Sequence, residues 1–401
     1  MIPLTGWSYC KSFQITEAVT VAGTITVTNG NAAIVGSSSN FLYWRVGDKI
    51  QCPNTNWYTI ATITDATHLT ISVTYPGSNA SGQTYNMQRI NYHRPFNVYR
   101  STGTDGSESI GCVTAGKVYV STKCETDYKD IRFTLVDGTT LMDYWIESSS
   151  SSSALIWVEI PALIAGTTYT FYIHYGNSGA TAVSNVTNTC CFGDDCTTTF
   201  NSPTKWGLEA STTGDITGGV MTLSNASAEG NAYSYDGANQ ITFPSNSVIR
   251  ANLCLANVQY CGAGFFTIPL NTPLINWFYV DSYTTTHSGN QVNDGTPVGY
   301  QLSIALGIDP TYKIVDLIRD QAVPSVRQFI EGVEATPALT THLSNTTKLP
   351  AALRPFGTSS WTKDKFFVVL YFTHTEATWG AWGDEIYSLP HTDPYPQLLA
   401  Q

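Results

Sequence analysis

The clearest alternation of apolar and polar positions lies between Asp130 and Asn177. In the run Y-T-F-Y-I-H-Y-G-N, Tyr169, Phe171, Ile173 and Tyr175 point one way, and Thr170, Tyr172 and His174 the other. A period of two predicts a strand with unlike faces, and Gly176-Asn177 ends it with turn chemistry. Asp130–Phe133, Leu141–Glu147 and Trp157–Pro161 read as further strands, divided by Asp137-Gly138, the serines Ser148–Ser153 and Ala165-Gly166. Near the start, Trp7, Tyr9, Lys11, Phe13 and Ile15 alternate with Ser8, Cys10, Ser12 and Gln14, giving another strand. From Val19 to Arg89 the texture changes to five or six short strands, with turns at Asn29-Gly30 and Val46-Gly47-Asp48. From Asp194 onward, strand candidates recur every ~8–15 residues between Gly, Pro, Asn and Asp, a sandwich rhythm. Val326–Glu334 reads as a hairpin turning at Glu331-Gly332. Phe366–Phe372 is apolar at every position, which suits a central strand buried on both faces.

Composition agrees with an all-β chain. Charged residues make up only 12% of the 401 residues, about half the usual share. Thr, Ser, Asn, Gly and Tyr fill the difference, as short strands joined by polar turns require. The formal net charge of −11 and the lack of any basic run exclude a nucleic-acid groove. No stretch reaches the roughly 20 apolar residues of a membrane span, so no membrane insertion is expected. Met1–Trp7 has neither a basic nor an apolar leader region, and export by the general secretory route is not expected. Nine cysteines are present, an odd number, so at least one is unpaired or bonds another chain. Cys112/Cys124 and Cys254/Cys261 are read as candidate cross-strand disulfides. The triplets beginning at Asn79, Asn185, Asn225 and Asn345 match the glycosylation sequon and predict exposed loops.

Two stretches carry resemblances. Between Gly23 and Met87 the chain reads T-V-T-N-G-N-A-A-I-V-G, then V-G-D-K-I, Y-T-I-A-T-I-T-D-A-T-H-L-T-I and S-G-Q-T-Y. This order resembles a small β-module of bacteriophage structural proteins, which implies a structural or attachment element without catalytic residues. Around it, W-x-Y-x-K-x-F-x-I, D-x-R-F at Asp130–Phe133, Y-W-I-E at Tyr144–Glu147, W-V-E-I-P at Trp157–Pro161, Y-x-x-Y-G-N at Tyr172–Asn177 and F-G-D-D at Phe192–Asp195 follow in order. Together they resemble an uncharacterised β-domain family of extracellular and envelope-associated prokaryotic proteins, which implies a fold and little chemistry. The part that follows resembles concanavalin-like jelly-roll domains. It does so through Lys205-Trp206, Gly219–Leu223, Phe329–Val333 and a closing strand at Trp382–Tyr387. That resemblance implies a glycan-binding or spacer domain, with glycosidases a minority of such domains.

The expected organisation is a first β-sandwich from residues 1–16 plus 91–190, a small β-barrel inserted at 17–90, a jelly-roll sandwich at 191–389, and an extended tail at 390–401.

Candidate chemistry is sparse. A jelly-roll glycosidase needs two carboxylates facing one sugar bond, typically as E-x-D-x-E, and no such run occurs. Asp384-Glu385 are adjacent, so on a strand they would face opposite ways. Calcium is the cofactor considered, with Asp194, Asp195, Asp384 and Glu385 as its ligands if the two ends of the second domain meet. The simpler reading has each pair capping a turn. Cys190-Cys191-x4-Cys196 lacks the partner pair of a zinc site. The histidines show no metal spacing, and no G-x-S-x-G elbow is present. A sugar-stacking platform is sought among Trp277, Phe278, Tyr279, Tyr283, Trp361, Trp379 and Trp382. Trp379, Trp361 and Tyr283 are the chosen carbohydrate-binding residues, Trp379 first.

The expectation is a non-enzymatic structural or adhesive component of a virus particle. Its partners would be other copies of itself, other virion proteins and a host-surface glycan. The competing reading is a secreted or cell-surface carbohydrate-binding protein; a polysaccharide hydrolase stands third.

Overall fold

A computed structural model describes residues 3–209, 211–225, 230–244, 246–254, 262–266, 276–284, 287–294, 299–304, 312–320, 325–334, 348–355, 361–370 and 376–387. The side chains of 254, 276–304, 320, 325–326, 361–364 and 370 are outside this description, and so is the tail at 390–401. The chain is all-β, and among the described residues the strands form four sheets. No helix among the described residues is long and apolar enough to cross a membrane.

The first sandwich packs two sheets around an aromatic core. One sheet runs Leu141–Met142, Arg132–Thr134, Thr168–Tyr175, Tyr9–Thr16, Thr378–Trp382. The other centres on Asn86–Tyr99 and Ser153–Ile164, which pair antiparallel over nearly their whole lengths. Tyr144–Ser149 extends it on one side, and Val113–Tyr119 joins parallel to Asn86–Tyr99 on the other. Alternation sorts the side chains as read from sequence: Phe171, Ile173 and Tyr175 are buried. Phe13 meets Phe96 edge-on at 4.8 Å, and Phe96 lies 5.0 Å from Phe133. His174, on the opposite face of its strand, is also buried. It accepts from the Leu4 backbone N–H and pairs with Thr134 Oγ1, and burial lowers its pKa to about 4.

Strands between residues 24 and 83 curl around a core of their own that includes Ile25, Ile34, Phe41, Ile60 and Leu69. This unit is continuous with the sandwich. Lys49–Gln51 pairs with the start of Asn86–Tyr99, so the boundary expected at 90/91 falls inside one strand. At the junction Arg89 and Glu17, both wholly buried, form a two-pronged pair. Nε donates to Oε2 at 2.5 Å and Nη2 to Oε1 at 3.2 Å. Nη1 reaches the Tyr43 carbonyl, and the guanidinium lies 5.0 Å from the Trp44 ring.

Nearby, Glu159 of the W-V-E-I-P run is half-buried. Burial, and then the Asp143 charge, push its carboxyl up to about 7 against the pull of Arg45. A carboxyl raised above its unfolded value favours the protonated folded state. The stability it contributes is full below about pH 4.3 and is lost as pH rises through about 7. Glu159→Gln is expected to raise stability at about pH 8 by on the order of 1–2 kcal/mol, after allowance for solvent screening. It is also expected to flatten the dependence between about pH 5 and 7. Urea titrations of both proteins across that range would read it; parallel curves would refute the assignment.

The second sandwich faces two eight-stranded antiparallel sheets, as the jelly-roll expectation required. Trp361–Leu370 lies between Val220–Asn225 and Ser247–Cys254. Its apolar run has a direct physical reason. Phe366 and Val368 enter the second sandwich's own core, whereas Phe367 and Val369 enter the core of the first. Ile249 and Leu317 likewise face inward, and Val248 and Ile318 face the first sandwich. Phe367 meets Trp145 edge-on at 4.8 Å and Trp157 at 5.5 Å. This sheet is therefore covered on both faces, and the two sandwiches share a continuous apolar contact.

One charged cluster crosses that contact. Arg250 Nε donates to Glu147 at 3.1 Å, and Nη1 donates to both Asp316 oxygens at 3.0 Å. Glu147 also accepts from Trp157 Nε1 at 2.7 Å. Burial pushes the Asp316 carboxyl up despite the Arg250 charge. Two hairpin turns touch beside it. A Cβ on Gly332 would lie 3.3 Å from the Gly111 backbone, and both glycines have positive φ.

Three expectations need correction. The closing strand at Trp382–Tyr387 does not complete the second sandwich. Thr378–Trp382 and Ile386–Tyr387 return to pair with Tyr9–Thr16 of the first. Cys112 and Cys124 are not bonded to each other; all seven described cysteines are free. The strand Val113–Tyr119 separates the two, at about 3.3 Å per residue. Asn225 is buried at the end of a strand and donates to Thr212, so this asparagine is not exposed. Cys254/Cys261 lies outside the described side chains.

Candidate functional site

The returning segment builds a cleft at one end of the first sandwich. Lys11 shares the face of its strand with Phe13 and Ile15, but it lies where the core gives way to solvent. Its Nζ donates to Asp105 Oδ2 at 2.7 Å and to the Tyr119 carbonyl at 2.8 Å. Asp105 Oδ1 accepts the Tyr119 backbone N–H at 2.7 Å, which fixes the loop before Gly106–Ile110 against Val113–Tyr119. The Tyr119 ring stacks on Tyr99 at 5.0 Å. Across the opening, Glu385 accepts from Lys123 Nζ and from the Tyr175 hydroxyl. The Lys123 ammonium also lies 4.6 Å from the Tyr9 ring centre.

Lys11, Asp105, Tyr119, Lys123 and Glu385, with Trp382, Gly383 and Asp384, line a cleft of about 410 Å³. Trp382 is half-buried. It packs 5.7 Å from Phe13 and stacks on Trp379 at 6.1 Å, and its remaining surface lines the cleft. Among the described residues its indole N–H has no protein acceptor. Asp384 is exposed at the rim and has no protein partner there either. The site thus offers an aromatic ring, an open donor and an open acceptor, between two lysine–carboxylate pairs.

Partial burial pushes the Glu385 carboxyl up. The hydrogen bonds from Lys123 and Tyr175, with the Lys123 and Lys11 charges, outweigh it and hold the group below its usual range. Glu385 is therefore ionised at neutral pH, whereas a glycosidase's general acid must keep its proton. Burial, and then the bond to Glu385, raise the Tyr175 phenol.

Residues 127–209 match a protein family described as a domain of unknown function, DUF2341. That stretch contains the D-x-R-F, Y-W-I-E, W-V-E-I-P, Y-x-x-Y-G-N and F-G-D-D words. No curated protein matches the chain. Solved structures similar to it include a prokaryotic β-1,3-1,4-glucanase (lichenase) derived from a mouse hindgut metagenome. That pair is 9% identical with a TM-score of 0.35, covering 45% of this chain and 98% of that one. An endo-β-1,3-glucanase from Pyrococcus furiosus is 8% identical with a TM-score of 0.35, covering 48% and 95%. The Emp47p carbohydrate recognition domain is 11% identical with a TM-score of 0.34, covering 45% and 95%.

The residues singled out from sequence fare unevenly. Trp379 is half-buried, as Trp382 is, and lines a separate opening with Arg94 and Glu376. Its indole donates to the Thr114 carbonyl at 3.0 Å, its ring lies 4.8 Å from Phe96, and Arg94 sits 4.7 Å from it. The side chains of Trp361 and Tyr283 lie outside the described residues. The calcium reading is also corrected. Asp194 and Asp195 lie in the second sandwich and Asp384-Glu385 against the first, because the last strands return to Tyr9–Thr16. Asp194 accepts from Trp206 Nε1 at 2.7 Å and from the Cys196 N–H at 2.9 Å. Asp195 accepts from Thr197. Among the described residues no three His, Cys, Asp or Glu side chains group as metal ligands. Asp384 and Glu385 instead line one cleft, in the irregular segment between two strands. Lys11, Asp105, Tyr119 and Lys123 were not anticipated; the one signal was a lysine on an otherwise apolar strand face.

Proposed function

We propose that the protein binds carbohydrate without cleaving it, and that the cleft around Trp382 is where a sugar docks. The observation that carries this is the half-buried indole with its open N–H, set beside the open Asp384 carboxylate. Ring faces pack on the apolar face of a pyranose, and an N–H with a neighbouring carboxylate serves its hydroxyls. The ionised state of Glu385 supports recognition over acid catalysis. We read the protein as secreted or displayed at a cell surface. A virion setting, with copies of itself and other particle proteins as partners, rests on sequence grounds: the words of residues 23–87, the all-β texture and the lack of catalytic spacing.

The test is binding of the purified chain to a glycan array and to insoluble polysaccharides. Trp382→Ala is expected to weaken binding by about tenfold or more. Asp384→Asn, at an exposed position, should weaken it several-fold while leaving the fold intact. Undiminished binding by both variants would sink the site assignment. Release of reducing ends from a bound polysaccharide would sink the non-enzymatic reading.

A further inference from the structure

A second opening lies between the two sandwiches and encloses about 540 Å³. The first sandwich contributes Asn97, Ser109, Ser148 and Ser149; the second contributes Arg250 and Glu331. Arg250 is only 6% exposed. Its Nε and Nη1 are used by Glu147 and Asp316. Among the described residues Nη2 has no protein acceptor, and the guanidinium borders the crevice. That donor faces the open crevice, where an oxygen presented by whatever fills it takes the place of solvent in a charge-assisted hydrogen bond.

Charge decides what kind of oxygen. Arg250 already faces Glu147 and Asp316, the Lys365 ammonium is held on the Glu147 carbonyl at 3.0 Å, and Glu331 stands on the wall beside them. An anion would meet a surface with carboxylates in excess. A neutral hydroxyl or ring oxygen meets no such penalty, and the serine hydroxyls both give and accept hydrogen bonds. We infer that this crevice binds a neutral saccharide unit, with Arg250 Nη2 donating to a sugar oxygen and the serines meeting its hydroxyls. The site shares the ligand class of the Trp382 cleft and none of its residues. A sugar there touches both sandwiches, so binding also braces their contact.

The experiment titrates the full chain calorimetrically with cellohexaose and laminarihexaose, and with oligogalacturonate as an anionic probe. Ser109 is exposed, so Ser109→Trp fills the crevice without removing a buried contact; Ser149→Trp is the second blocking variant. The wild type is expected to bind a neutral hexaose at two sites. Either blocking variant should lose one site, weakened by about tenfold or more, with unchanged thermal unfolding. Trp382→Ala should lose the other. Wild-type stoichiometry in both blocking variants would overturn the inference and leave the Trp382 reading standing. Preference for oligogalacturonate at the blocked site, or no binding of either hexaose by the wild type, would overturn it as well.

Discussion

Arg250→Ala is expected to destabilise the chain by about 3–5 kcal/mol, the typical cost of removing one partner from a buried ion pair. The loss exceeds that of one interaction because Glu147 and Asp316 remain behind. Each is buried and each loses its cation. Glu147 keeps only the Trp157 indole as a side-chain donor, and Asp316 is already pushed toward protonation. Urea unfolding at neutral pH would read the difference. Because these groups lie in the contact between the sandwiches, the transition should also split, with the second sandwich losing structure first. A single unshifted transition would show that the apolar contact around Phe367 holds the sandwiches unaided.

Arg89→Met should cost a similar amount, about 3–5 kcal/mol, by stranding Glu17 at a fully buried site. Here a second change separates desolvation from shape. Glu17→Leu combined with Arg89→Met removes both charges and fills the space with carbon, so it should recover most of the loss. Glu17 also accepts the Val19 N–H at 3.1 Å, and that bond is not restored. Recovery should therefore stop short by about 1 kcal/mol. A double variant as unstable as Arg89→Met alone would mean that the stacking of Arg89 on Trp44 and Tyr92, not its charge, holds the junction.

How much of this was legible in the sequence depends on the range of the interaction. Faces were legible, because a strand's two sides follow from period two: Phe171, Ile173 and Tyr175 are buried as read. The apolar run at Phe366–Val369 announced a strand covered twice, though not which core each residue joins. Pairings across long separations were not legible. Nothing local says that Trp382 lies opposite Phe13 or that Tyr387 lies opposite Tyr9. The cleft is made of such pairings, so its lysines and Asp105 stay hidden in the sequence, where Trp379 of a separate opening is the more conspicuous residue. Adjacency misled as well. Asp384 and Glu385 were assigned opposite faces on the premise of a strand, but they lie between strands, where that rule has no force.

The return of the last described strands to the first has a mechanical side. Tyr9–Thr16 and Ile386–Tyr387 run antiparallel, and Tyr9 pairs with Tyr387. A pull applied outward from these two tyrosines loads the pair at one end, so its hydrogen bonds rupture in turn instead of together. Tension would peel Ile386–Tyr387 away first and withdraw Glu385 from Lys123 and Tyr175. The cleft would be the first part of the molecule to feel the force.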